Sequence, residues 1–179
     1  IDFYSSINNV YGLVNNAGER QRKDFIKIKK TELQSIFENN FFCHFWIIQK
    51  IVNFFKKNKI KNTSIVNIGS IVGLRGFNQL SGYASTKSAL EGLTRSLAIE
   101  FSKDKIRFNI VNPGFIKTSY YEKFKKKNKE LYKWTLQRTP SGNWGESSDV
   151  SELVMYLLSD KSKYINGQSI CVDGGWTAQ

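Results

Sequence analysis

The sequence predicts an α/β fold: a parallel sheet wound with helices on both faces. Three observations predict it. Short, apolar, largely β-branched runs recur at Val10–Val14, Ser64–Ile68, Ile106–Val111 and Ser169–Val172. Longer stretches with apolar residues at spacings of three and four lie between them. The first three runs pass directly into small, amide or Pro-Gly residues, which leaves room for a ligand over the carboxyl edge of a sheet.

Composition bounds the function. The 179 residues suit one domain with a sizeable core, at 40% hydrophobic and 23% charged residues. The net charge is +12, and the pI is near 9.7. Such a balance suits an anionic partner, but the lysines are scattered apart from Lys123–Lys129, so no nucleic-acid partner is expected. No apolar run reaches eighteen residues, and Lys50 and Asn53 break the Phe-rich stretch from Phe41 to Phe55, so no membrane partner is expected. Cys43 and Cys171 fall on a predicted helix and strand, which fits reduced thiols and a cytoplasmic setting. His44 is the sole histidine and reads as a packing residue, so no metal site is expected.

In chain order, Ile1–Asn9 is polar and amphipathic, like the end of a helix. The strand Val10–Val14 runs into Asn15-Asn16-Ala17-Gly18, which alone would also suit a plain turn. A long helical pattern begins at Thr31, which forms a capping box with Gln34, and continues to Phe55. Asn40 interrupts its apolar face, as a satisfied buried amide would. Ser70 stands at the carboxyl end of the strand Ser64–Ile68. Gly73, Gly76 and Gly82 then approach a helix opened by Tyr83 and Lys87.

The spacing of four puts the Tyr83 phenol and the Lys87 ammonium on one helix face. Free Tyr titrates near ~10 and free Lys near ~10.4, and an adjacent cation favours the phenolate. Lys87 is therefore expected to lower the Tyr83 pKa, although such a pair is also common on solvated helices. The strand Ile106–Val111 ends in Asn112-Pro113-Gly114-Phe115-Ile116-Lys117-Thr118, where Pro113-Gly114 turns the chain and exposes backbone N–H groups. Ser119–Gly145 is rich in Tyr, Trp and Lys, and reads either as a cover for an anionic substrate or as a surface helix with a charged outer face. Ser148-Asp149 caps a helix over Val150–Leu158, and Asn166-Gly167-Gln168 turns into the last strand, before Asp173-Gly174-Gly175.

The chain resembles the short-chain dehydrogenase/reductase family. The match rests on Asn15-Asn16-Ala17-Gly18, on Ser70 followed thirteen positions later by Tyr83-x-x-x-Lys87, on Pro113-Gly114-x-Ile116-x-Thr118 and on Asp173-Gly174-Gly175. The resemblance implies a Rossmann-like doubly wound sheet and an NAD- or NADP-dependent oxidoreductase of the 3-oxoacyl reductase or sugar-acid/polyol dehydrogenase type. It implies a small carbonyl or alcohol substrate and a homodimer or homotetramer. Asn40, Ser70, Tyr83 and Lys87 become the catalytic set, with Asn40 holding a relay water. Asn16, Ala17, Gly18, Tyr83, Lys87, Pro113, Gly114, Ile116 and Thr118 become the cofactor contacts. Arg138-Thr139-Pro140 through Trp144-Gly145-Glu146 resembles the sugar-acid and acyl-reductase relatives, although Asn143 stands where Arg is usual.

The family's glycine-rich pyrophosphate loop and the residue that selects NAD or NADP are not found in the sequence. Residues 1–179 are thus expected to form a single, partial domain, strands four to seven of a sheet ordered 3-2-1-4-5-6-7. The first βαβαβ unit would be missing, and the fragment alone would be silent. A non-catalytic binding or assembly module on the same fold is the alternative.

Overall fold

The computed structural model describes residues 10–119 and 121–179. The reading of Ile1–Asn9 as a helix end lies outside them. Four strands, β1 (Gly12–Asn15), β2 (Thr63–Ile68), β3 (Ile106–Pro113) and β4 (Ser169–Val172), form one sheet in the order β1-β2-β3-β4. Every pair is parallel, with Leu13 opposite Ile65, Ile65 opposite Phe108 and Val111 opposite Ile170. All carboxyl ends therefore meet at one edge. The first strand begins at Gly12 rather than Val10, because its ladder with β2 starts where Gly12 faces Ser64.

Helices cover both faces, as the alternation of the strands requires. On one face Ile65 and Phe108 pack with Ile48, Ile51, Val52 and Phe55 of α2 (Cys43–Lys57) and Ala98 of α3 (Ser81–Glu100). On the other, Val66 and Val111 pack with Val154 and Leu157 of α6 (Ser147–Leu158). β2 is buried along nearly its whole length, which explains its unbroken apolar character.

The long helix predicted from Thr31 is in fact three segments. α1 spans Lys30–Phe37, a π-helical turn spans Glu38–Phe42, and α2 follows. Its start is set by Glu32, whose carboxylate accepts from the Lys29 N–H at 2.8 Å, and not by a Thr31–Gln34 box. Glu32 also holds Lys23, which fixes the incoming chain. Likewise α6 begins at Ser147, with the Asp149 carboxylate accepting from the Glu146 N–H at 2.7 Å, so the cap lies before Ser148. The Tyr- and Lys-rich stretch forms α4 (Tyr121–Lys127) and α5 (Lys129–Arg138), which tuck Phe124 inward while their lysines face out.

Candidate active site

The carboxyl ends of β1, β2 and β3 open into a cleft of about 860 Å³. Asn16 and Gly18 line it from the end of β1. Ser70 comes from β2, Tyr83 and Lys87 from α3, and Pro113, Gly114, Ile116 and Thr118 from the end of β3. The fold thus brings together Asn16 and Thr118, more than a hundred positions apart in the chain. Ala17 and Asn40, also expected in the site, are not among the lining residues.

Ser70 is held by its backbone. Its N–H donates to Asn112 Oδ1 at 2.8 Å, and its Oγ accepts from the Val72 N–H at 3.2 Å, starting a single 3₁₀ turn at Ile71–Gly73. Asn112 is buried and donates in turn to Glu91 Oε1 (2.7 Å) and Ser169 Oγ (2.9 Å). Glu91 sits one helical turn past Lys87 on α3, so this buried relay ties the strand that carries Ser70 to the helix that carries Tyr83. A second relay runs beside it: Asn15 Nδ2 donates to Asn67 Oδ1 (2.8 Å), and Asn67 Nδ2 donates to Thr94 Oγ1 (2.9 Å). Polar groups this deep are tolerated because each finds a partner.

Lys87 is buried, and its Nζ donates to the Ile68 carbonyl at 2.7 Å. Burial disfavours its charge and pushes its pKa down to about 8. The Nζ lies 5.8 Å from the centre of the Tyr83 ring. The Tyr83 pKa is raised, contrary to the expectation from the four-residue spacing. Burial of the phenol is the main cause, with the Ser70 hydroxyl and the Arg20 charge acting in the opposite direction. The reversal follows from burial of the phenol itself, which outweighs the favourable groups around it, and the Lys87 ammonium is turned toward the Ile68 carbonyl.

Asn40 occupies the π turn and is fully buried. Its Oδ1 accepts from the Glu19 N–H and its Nδ2 donates to the Glu19 carbonyl, both at 2.8 Å, with a longer bond to Thr86 Oγ1 at 3.3 Å. The side chain is thereby committed to the segment after Gly18. A Cβ on Gly18 would stand 3.1 Å from Asn40 Oδ1, so glycine is what lets the segment lie this close. His44 is buried, with its pKa lowered by burial first and by the Lys87 charge second, in keeping with a packing role. No cluster that could hold a metal ion occurs among the described residues, and none of their helices is long and apolar enough to cross a membrane.

Sequence reasoning did not single out Glu91 and treated Asn112 only as the lead-in to Pro113. It also left the aromatic wall of the cleft unresolved. Phe115, Tyr121, Phe124 and Trp144 all line it, with Trp144 5.1–5.2 Å from each of the other three rings. Gly145 pins this wall to β3's extension: its N–H donates to the Phe115 carbonyl and its carbonyl accepts from the Lys117 N–H.

The donor set fits the nicotinamide half of a dinucleotide. An ammonium has three N–H groups, and Lys87 spends one on Ile68 at the floor of the cleft. The Pro113–Thr118 turn and Asn16 face the same space.

The family model described as enoyl-(acyl carrier protein) reductase matches residues 3–177. The 3-oxoacyl-[acyl-carrier-protein] reductase of Thermotoga maritima is 36% identical over 163 residues, 91% of this chain and 64% of its own. A tropinone reductase homolog of Arabidopsis thaliana is 41% identical over 165 residues, 92% of this chain and 61% of its own. The chain therefore spans somewhat under two thirds of the length of these relatives. A crystal structure of gluconate 5-dehydrogenase from Burkholderia cenocepacia, in complex with NADP and tartrate, superposes with a TM-score of 0.92 at 25% identity, over 99% of this chain and 69% of that one.

Proposed function

Because the chain belongs to the short-chain dehydrogenase/reductase family, we propose that its cleft serves the interconversion of a ketone and a secondary alcohol with NAD or NADP. The observation that carries this reading is the convergence of Ser70, Tyr83 and Lys87 on one cleft at the carboxyl edge of a parallel sheet. Bound nicotinamide supplies or takes the hydride at the carbonyl carbon. The Tyr83 phenol gives its proton to the carbonyl oxygen as negative charge develops there, and takes it back in the reverse direction. Its raised pKa keeps the proton on Tyr83 near neutral pH, the form that reduction requires. Ser70 Oγ donates a hydrogen bond to the same oxygen, and the Asn112 anchor fixes where that hydroxyl stands.

Lys87 holds the nicotinamide ribose with the N–H groups it does not spend on Ile68. Asn16, Gly18, Pro113, Gly114, Ile116 and Thr118 form the surrounding cradle, with Ala17 between the first two. Asn40 contributes by holding Glu19, and through it the segment that follows Gly18. Exposed Trp46 and Ile47 on α2 and Ile99 on α3 support assembly into a homodimer or homotetramer.

The test is Tyr83→Phe, which keeps the ring and removes the proton. In the full-length protein, turnover of ketone is expected to fall by about 10²–10⁴-fold, the scale of general acid–base catalysis, with nicotinamide binding retained. Near-normal turnover would overturn the assignment.

A further inference from the structure

The part of the cleft lined by Phe115, Tyr121, Phe124 and Trp144 is largely apolar, and most of the polar atoms beside it already have partners. Trp144 Nε1 donates to Thr135 Oγ1 at 2.8 Å. Thr135 Oγ1 donates to the Tyr132 carbonyl, and the Tyr121 and Tyr132 hydroxyls share a 2.8 Å hydrogen bond. On the α6 side, Ser147 Oγ donates to the Lys117 carbonyl and Ser151 Oγ to the Ser148 carbonyl. The Lys117 ammonium is paired with Glu146. Phe115 and Phe124 complete the surface with hydrocarbon. The cleft's charged side chains besides Lys87, Glu19 and Arg20, belong to the segment after β1, whereas this wall follows β3.

A hydroxyl placed against such a wall gives up its water and meets few free partners, which is costly. A hydrocarbon flank placed there loses only unfavourable hydration. Resting on the reductase reading above, we infer that the substrate is an apolar ketone, with hydrocarbon on both sides of the carbonyl, and not a polyhydroxylated keto acid. The aromatic ring faces around Trp144 supply the contact area, and Ser70 with Tyr83 supply the polar recognition, confined to the carbonyl oxygen.

The experiment compares 2-decalone with 5-ketogluconate. Binding is followed by quenching of tryptophan fluorescence, which does not depend on turnover, and reduction is followed by loss of NADPH or NADH absorbance. Decalone is expected to bind at least about tenfold more tightly, the discrimination a hydrophobic pocket commonly achieves. Phe124→Asn is expected to erase that preference, and Phe124→Leu to keep it, with unchanged circular dichroism in both. Equal or tighter binding of ketogluconate would overturn the inference, as would a preference that survives Phe124→Asn. Decalone bound as expected but never reduced would instead overturn the reductase reading and leave the pocket assignment standing.

Discussion

The Glu91 carboxylate accepts a 2.7 Å hydrogen bond from the Asn112 amide, and both side chains are buried. This contact joins α3 to β3 one helical turn from Lys87. Through Asn112 Oδ1 it also sets the backbone of Ser70. Glu91→Ala leaves the Asn112 and Ser169 donors short of an acceptor in a dry site. A loss of about 2–4 kcal/mol is expected from urea unfolding, the scale for breaking a buried, charge-assisted network. Turnover is expected to fall more than nicotinamide affinity, because the geometry lost is that of Ser70 against Tyr83.

Lys87 makes stability depend on pH in the alkaline range. Burial lowers its folded pKa to about 8, from an ordinary 10.5. Between these values the unfolded chain binds a proton that the folded chain does not, so stability rises with pH across that window. At lower pH both forms are protonated and the folded state carries the full cost of a buried charge. Lys87→Met removes this titration. The stability difference, wild type minus Lys87→Met, is expected to climb by about 3 kcal/mol between pH 8 and pH 10.5. A flat difference would show that Lys87 is solvated.

Gly69 and Gly76 offer a matched pair. A Cβ on Gly69 would stand 1.9 Å from Asn112 Oδ1 and within 3 Å of the Ile110 side chain, whereas one on Gly76 meets nothing within 4 Å. Gly69→Ala must displace the acceptor that holds Ser70. It is expected to cost about 3 kcal/mol by thermal or urea unfolding and to depress turnover. Gly76→Ala is expected to leave both within experimental scatter.

The strands and the packing of α2, α3 and α6 were legible because burial on a two-sided parallel sheet writes itself as local apolar pattern. Ser70, Tyr83 and Lys87 were legible because strand end and helix start are also local. The relays were not: Glu91 and Asn112 are 21 positions apart, Asn15 and Asn67 are 52 apart, and no local pattern marks their meeting. The sign of the Tyr83 shift was hidden for a related reason. Spacing reports that Lys87 is near, but not that the phenol itself is buried, which is what raises its pKa. Both caps shifted by two positions because Glu32 and Asp149 each reach back to a backbone N–H that stands before the serine or threonine read as the cap. The aromatic residues of the wall were visible in the sequence, but their polar atoms' partners were not, and it is those partners that give the wall its character.

The π turn at Glu38–Phe42 acts as a phase corrector. Ile36 and Ile48 are both buried, yet twelve residues of unbroken α-helix would rotate one about 120° from the other. One inserted residue sets the winding back by about 100°, leaving them roughly 20° apart. Ile36, Asn40, His44 and Ile48 can then share a single inward line at intervals of four, with Asn40 aimed at Glu19. Removing one residue from this turn would give a more regular helix and a worse protein. The hydrogen-bond ladder would be restored, while α1 and α2 would fall out of step and Asn40 would lose its hold on the edge of the cleft.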